Sequence, residues 1–488
     1  MPPFAFEAAA ARVAQESWSR LSVRDRLRPI RALRNLIVGR ADALCEAAHA
    51  DIGRTPVEVM GTELLPTAAA LKFLEKEAAR LLAPRGVPRR LRPTWLMGCR
   101  DVVHHRPWGV VGIIGTWNYP IFLNFGQIAQ ALVAGNAVLW KPSENSVQTA
   151  EVTHELFLAA GFPKDLLQLL PATREAGPEL AEAEIDHLVF TGSDGVGRRL
   201  AAKLGERLVP STLELSGCDV MFVLPDANLE MAARAAWFGV TLNRGQTCIA
   251  VRRIFVPREK AEVFAHELRK LVPNGKPMAL VTPGQVTQAD RLIADAVARG
   301  ATALAPTAWT APTEGSAGST VSPTFLLNTP HDAAICMEAC FSPLAAVIPY
   351  DSIDSAVSQA RQSPFGLAAS VFSADTTAAR ELAARIPAGN VCINDVLAPT
   401  AHPATPFGGL GASGWGVTQG AEGLLGMTVP QAVTVRKGTF RPHFDQAAKP
   451  DPSTINVLRG LLRSTHASGL VEKWRGFWQL IRGLWRKK

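Results

Sequence analysis

The stretch Asn243-Arg244-Gly245-Gln246-Thr247-Cys248-Ile249-Ala250 sets a lone thiol between turn-forming polar residues and the apolar run Val251–Pro257. A thiol leaving a glycine turn can aim its sulfur and its own N–H at one substrate atom, as covalent attack on a carbonyl requires. Against this stands the ordinary fate of a free cysteine, a small buried hydrophobe. Glu214 precedes it by 34 residues and lies between two leucines, a poor setting for a salt-bridged surface carboxylate. Lys141 and Glu144, in Trp-Lys-Pro-Ser-Glu, follow a strand-like run. There they can hydrogen-bond the hydroxyls of a ribose, or simply pair with each other. The stretch 187–197 carries Gly192, Ser193, Gly195 and Gly197 from a strand end into a helix start. Glycines there admit a dinucleotide to a positive helix N-terminus, or form only a structural turn.

These groups need elements to hold them. Residues 5–50 and 57–82 are rich in Ala, Leu and Arg at helical spacing (Leu27, Ile30, Leu33, Leu36, Ile37), which predicts two or three helices and then another before Pro84. From 109 onward, 109–114, 137–142, 165–171 and 187–193 read as short buried strands between helices over 121–134, 146–160 and 196–204. Such alternation predicts a parallel, doubly wound sheet of the nucleotide-binding kind. The pattern restarts with a strand at 219–225, a helix over 228–243, a strand at 252–257 and a helix over 258–272, giving a second α/β domain from about 218 to 395. Residues 101–107 read as one strand of a hairpin, and 301–323, rich in Ala, Thr, Ser, Gly and Pro, as an exposed loop.

A chain of 488 residues with 47% hydrophobic and 19% charged residues is a folded one of two or three domains. Its seven cysteines include no close pair of pairs, so neither a disulfide framework nor a metal site is expected, and the N-terminus has no leader pattern. A reducing cytoplasm is the expected compartment. The net charge of +8 is local: residues 441–488 hold ten Lys/Arg against three Asp/Glu, and the rest of the chain 41 against 40. A nearly neutral body argues against nucleic acid as a partner. Within the tail, Leu470, Trp474, Phe477, Trp478, Ile481, Leu484 and Trp485 share one helical face opposite Arg475, Gln479, Arg482 and Arg486, with Lys487 and Lys488 behind. This composition predicts one interfacial helix over 470–485, peripheral to a membrane, or a helix packed on protein.

Taken in order, Gly-Thr-Trp-Asn-Tyr-Pro (115–120), Lys-Pro-Ser-Glu (141–144), Phe-Thr-Gly-Ser (190–193), Leu-Glu-Leu-Ser-Gly (213–217), Gly-Gln-Thr-Cys (245–248), Phe-Ser-Pro (341–343) and Thr-Pro-Phe-Gly-Gly (405–409) resemble the aldehyde dehydrogenase superfamily over roughly residues 5–440. The Trp-Asn-Tyr-Pro variant is most similar to the fatty-aldehyde dehydrogenase-like branch. The resemblance implies two doubly wound parallel-sheet domains plus a small β oligomerisation domain: NAD(P)-binding over 1–98 and 109–215, catalytic over 216–427 (with 396–427 returning to the cofactor domain as an alternative), oligomerisation strands over 99–108 and 428–440, and the basic tail 441–488. It implies Cys248 as nucleophile, its pKa lowered by a nearby helix N-terminus and the cofactor's positive ring, Glu214 as a partly buried general base of raised pKa, and Asn118 as the oxyanion-hole amide. Cofactor contacts fall to Trp117, Lys141, Ser143, Glu144, Gly192, Ser193, Gly197 and Phe341. The expected cofactor is NAD, with NADP possible, the substrate a long-chain or apolar aldehyde, and the assembly a homodimer or homotetramer.

The departures lie on the cofactor side. The family's nicotinamide-ribose carboxylate appears here as Ala339, with Glu338 one position early. Ser216 and Cys218 stand where the family has glycine and lysine, and no Gly-Arg-Glu follows Ser413-Gly414. Two other functions therefore stay open: a weakened paralogue acting as a membrane-peripheral binding protein, and a CoA-acylating relative.

Overall fold

A computed structural model describes residues 2–306, 320–439, 441, 443, 444, 452 and 454–485. The chain divides into one unit of residues 1–85 and 103–431 and another of 86–102 and 432–488.

In the first unit the strands Val110–Ile114, Ala137–Lys141, Leu167–Leu169, His187–Thr191 and Ser211–Glu214 pair in parallel, with short Gly414–Trp415 antiparallel at the edge. Nearly every residue of the three central strands is buried, which explains their unbroken β-branched runs in place of alternation. The first strand has the second on one side and the fourth on the other. That reversal is a topological switch point, where an open α/β sheet leaves a crevice beyond its strand ends. The loops leaving those two strands carry Trp117–Asn118 and Gly192–Ser193.

A second sheet runs Thr302–Leu304, Thr324–Leu327, Leu344–Tyr350, Val251–Pro257, Asp219–Val223, Ala368–Phe372 and Asn390–Ile393, parallel apart from its first strand. The doubly wound reading holds for both sheets. The stretch expected as a loop over 301–323 includes strands Thr302–Leu304 and Thr320–Val321; residues 307–319 lie outside the described residues.

Two helical expectations are corrected. Residues 57–82 form a short helix Pro56–Val59, a π turn Met60–Leu64 and a helix Leu65–Leu81, because Glu63 turns inward to bind backbone N–H groups of another loop. The helix expected over 228–243 ends at Thr241, since Asn243, Arg244 and Gly245 all take positive φ. At Gly245 a side chain has no room: a Cβ would lie 2.4 Å from the Ser342 carbonyl.

The second unit holds residues 99–102 of the strand Cys99–Pro107 and 432–436 of the strand Thr428–Arg436, which form a three-stranded sheet with Arg85–Gly86. Its tail is two helices where one was expected, Thr454–His466 and Leu470–Trp485, joined through Gly469 at φ 89°. They pack backbone to backbone through glycines: a Cβ on Gly460 would meet Leu480, on Gly476 Ser464 and on Gly483 Val457. Phe440, residues 445–451, and Arg486, Lys487 and Lys488 of the tail lie outside the described residues.

Candidate active site

One helix organises the site. Phe122–Ala134 is buried almost throughout, yet carries Asn124, Gln127 and Gln130 at a spacing of three. Three amides on one face of an apolar helix have to find partners. Asn124 accepts from the Thr116 N–H (3.2 Å) and donates to the Pro120 carbonyl (2.8 Å), holding the Trp117–Asn118 loop closed. Gln127 donates to Thr191 (2.9 Å) and to Glu214 (3.4 Å).

Glu214 ends its strand beside Thr191 and is 3% exposed. Its carboxyl accepts hydrogen bonds from Thr418, Gln127 and Thr191. Burial raises its pKa to about 7, and those three donors pull the other way without offsetting it. The raised value expected from the sequence is thus present, and its cause is desolvation.

Cys248 sits in the turn ahead of Val251–Pro257 and is the only one of the seven cysteines not fully buried. Arg252, itself buried, donates to the Gly245, Ser342 and Leu344 carbonyls and so pins this turn to the Phe341–Ser342 segment. Within the protein itself the expected lowering of the thiol pKa is not found. Burial, with the carboxylates of Asp219 and Glu214, pushes the Cys248 thiol up; only the N–H groups of Ile249 and Cys248 act the other way.

Asn118 is buried and donates one amide N–H to the Gln246 carbonyl (3.1 Å), while its carbonyl oxygen accepts from Thr116 (2.8 Å) and its backbone carbonyl from Asn243 (2.9 Å). The oxyanion loop and the cysteine turn are thus stitched together. Beneath them lies a buried pair that sequence reasoning missed. Arg54 donates to Glu63 (2.9 Å) and to the Asn118 carbonyl (3.3 Å), and its guanidinium stacks 4.8 Å over the Tyr119 ring. Glu63 accepts from the Ile121 (2.6 Å) and Phe122 (3.2 Å) N–H groups, and Tyr119 bonds Thr247 (2.8 Å). No local motif signals Arg54 or Glu63. Removing one partner of a fully buried pair strands the other charge. Arg54→Ala is expected to cost roughly 3–5 kcal/mol in denaturant unfolding, and to lower kcat, because it loosens Asn118.

Two clefts meet at Cys248. The smaller, about 340 Å³, is lined by Asn118, Thr191, Gly192, Glu214, Cys248 and Phe341 among others. The larger, about 760 Å³, reaches Cys248 from Phe238, Leu242, Leu397 and Phe407, and none of its lining side chains is charged. Cys248, Glu214, Asn118, Gly192 and Phe341 are therefore brought together. Trp117 meets Phe341 with the rings tilted by 56° and their centroids 6.0 Å apart.

The remaining expected cofactor residues lie at strand ends. Lys141 is buried and pairs with Glu144 (3.3 Å), which also meets Arg174 (3.2 Å). Ser143 accepts from the Asn145 N–H, and Ser193 caps the helix Asp194–Glu206. Gly197 packs into Leu215, where a Cβ would come within 2.5 Å. Glu338 turns away to bind Arg291, and Ala339 offers only its carbonyl, to Gln288. A lysine, two hydroxyls, a carboxylate and a helix N-terminus across adjacent strand ends are the donor set a nucleotide's phosphates and ribose need. The nicotinamide end lacks its carboxylate.

A model of the aldehyde dehydrogenase family matches residues 5–433. The chain is similar to a 4,4'-diapolycopene aldehyde oxidase of Methylomonas sp., at 34% identity over 85% of this chain and 78% of that one. It is 31% identical to a putative succinate-semialdehyde dehydrogenase [NADP(+)] of Mycolicibacterium smegmatis, over 88% and 84% of the two chains. Among solved structures, a Mycobacterium tuberculosis aldehyde dehydrogenase complexed with NAD+ superposes with a TM-score of 0.81 at 28% identity, covering 89% of this chain and 90% of that one.

Proposed function

The chain belongs to the aldehyde dehydrogenase family, and on that premise we propose that it oxidises long, apolar aldehydes to carboxylic acids by covalent catalysis at Cys248, with NAD or NADP as cofactor. The observation that carries the substrate class is the uncharged cleft of about 760 Å³ ending at the thiol. An aldehyde bearing a second carboxylate would bury that charge there without a partner.

The reaction follows from the side chains. An aldehyde carbon does not surrender hydride while it is sp², so the Cys248 thiolate first adds to it. The new oxyanion takes the second N–H of Asn118, whose first is committed to Gln246, and the backbone N–H of Cys248. Lys141, Ser143, Glu144, Gly192, Ser193 and Gly197, with Trp117 and Phe341 at the mouth, hold NAD(P), which when bound accepts the hydride and brings a positive charge to offset the raised thiol pKa. A thioester is left on Cys248. Glu214 then draws a proton from water as that water attacks the thioester, releasing the acid. Its retention, buried among three donors, supports water over CoA as the acyl acceptor. The absent carboxylate at Ala339 favours one other reading, a weakened paralogue that binds at a membrane surface without turnover.

The test is simple. Purified protein is mixed with aldehydes of increasing length, decanal and beyond, and NAD⁺ or NADP⁺, and absorbance of the reduced cofactor is followed. Turnover that improves with chain length is expected. A folded protein inactive at every length contradicts the reading, and dependence on added CoA shifts it to the acylating reaction.

The tail supports a peripheral membrane location. Its glycine-packed hairpin leaves its large apolar groups outward, with Trp474 62% and Trp485 81% exposed, joined by Ile455, Leu458 and Leu462 of the earlier helix. No helix among the described residues is long and apolar enough to cross a membrane. Arg459, Arg463, Lys473, Arg475 and Arg482 add the charge that anionic headgroups attract. Full-length protein is expected to float with anionic liposomes and a version ending at Arg441 to stay behind; equal flotation contradicts it. Assembly into a homodimer or homotetramer is supported by Val433 and Val435, 41% and 56% exposed on the strand Thr428–Arg436.

A further inference from the structure

A third cleft, about 510 Å³, is lined by Gln127 and Thr418, both hydrogen-bonded to Glu214, and does not include Cys248 in its wall. Thr67 of the helix Leu65–Leu81, Gln127 and Gln130 of the central helix, and Thr418 with Gln419 bring polar atoms to its otherwise mostly apolar wall. Four of those atoms are buried without any partner: Thr67 Oγ1, Gln127 Oε1, Gln130 Oε1 and Gln419 Oε1. Buried oxygens are rarely left unpaired, and four on residues around one cleft are partners that ordered water between them would satisfy.

The general base, meanwhile, has an unanswered need. Each turnover leaves Glu214 holding the proton it took from water, and the carboxyl must lose it before the next. Thr418, Gln127 and Thr191 are its only hydrogen-bond partners among the described residues. An amide N–H cannot accept and pass on a proton, whereas a hydroxyl can do both in one step. Of the two hydroxyls, Thr191 lines the smaller cleft with Gly192, Phe341 and Cys248, and Thr418 lines the third cleft.

We propose that this third cleft is a water channel, and that Thr418 carries the proton of Glu214 into it. In the protonated state Glu214 donates to the Thr418 oxygen as the Thr418 hydrogen passes to a channel water. The proton then leaves along waters held by Thr67, Gln130 and Gln419, and Thr418 turns back to donate to the carboxylate. No charge accumulates, and the acyl group need not leave before the base resets. Gln419, which also lines the larger cleft, holds a φ of 60° that non-glycine residues avoid, a strained backbone next to the relay.

This inference rests on Glu214 being the general base. Thr67→Val and Gln130→Leu remove channel oxygens that do not touch Glu214, and Thr418→Val removes the relay hydroxyl. Rapid mixing with decanal and NAD⁺ separates the first turnover, which ends at hydride transfer, from the steady state, which needs deacylation. The first-turnover rate should hold while the steady-state rate falls roughly tenfold, a fraction of the 10²–10⁴ a general base supplies. A burst of reduced cofactor should therefore appear, and Thr418→Ser should restore wild-type behaviour. Unchanged steady-state rates, or a parallel fall of both phases, overturn the relay. Wild type that forms no reduced cofactor with any aldehyde overturns the function beneath it. A crystal structure of the cofactor-free protein decides the channel apart from activity: waters bonded to Thr67 and Gln130 are expected, and a dry cleft refutes it.

Discussion

Cys248→Ala is expected to abolish aldehyde oxidation, with a fall of about 10⁵-fold or more in kcat, the scale on which enzymes lose a covalent nucleophile. The loss should be complete because nothing nearby can substitute. Cys45, Cys99, Cys218, Cys336, Cys340 and Cys392 are all buried, and burial holds Cys218 at a pKa of about 11. The change deletes one sulfur from a turn fixed by Arg252 and Gly245, so thermal unfolding should move little. Reduced-cofactor absorbance and a circular-dichroism melt on one preparation separate lost chemistry from lost fold. Activity that survives in a folded variant assigns the nucleophile elsewhere.

Glu214→Gln is expected to divide the reaction in two. Addition of the thiol and loss of hydride do not need the carboxylate, so one equivalent of reduced cofactor should appear at near wild-type rate. Turnover thereafter should fall by about 10²–10⁴. The pH dependence has a definite sign. Only ionised Glu214 takes a proton, and its pKa sits at about 7 instead of the ordinary 4.5, so wild-type turnover should fall as pH drops through about 7. Stability runs the other way. A carboxyl whose folded pKa is raised stabilises the fold fully below about 4.5, and that contribution is lost as pH rises through about 7. Above that pH the buried carboxylate costs the fold about 3 kcal/mol. Glu214→Gln should therefore outlast wild type in denaturant at pH 8, with the advantage gone at pH 4.

How much of this could be read from residues alone varied with distance along the chain. Cys248, Glu214 and Asn118 stood out because each lies in a short motif resembling the family's pattern, and the three line one cleft. The strands were legible because full burial on both faces leaves an unbroken apolar signature. Arg54 and Glu63 were not, since their partners stand 64 and 58 residues away and neither sits in a recognisable pattern. Gln127 and Gln130 did leave a signal, three amides spaced by three in an apolar helix, which goes unseen when polar residues are read as surface. Thr418 registered only as a departure from Gly-Arg-Glu, though its hydroxyl meets the general base. The thiol's setting within the protein was not legible, because the carboxylates that raise its pKa, Asp219 and Glu214, lie at strand ends distant in sequence. The first tail helix was missed; it packs Gly460, Val457 and Ser464 against the second helix, whose own packing positions are Gly476 and Gly483.

The account's central claim is an acyl thioester on Cys248 formed from an apolar aldehyde, and intact-protein mass spectrometry of Glu214→Gln tests it most directly. After mixing with decanal and NAD⁺, the protein should gain the mass of one decanoyl group, mapped by proteolysis to the peptide holding Cys248, with one equivalent of reduced cofactor. An unmodified protein that has nonetheless reduced the cofactor, or an adduct on any other residue, would contradict it.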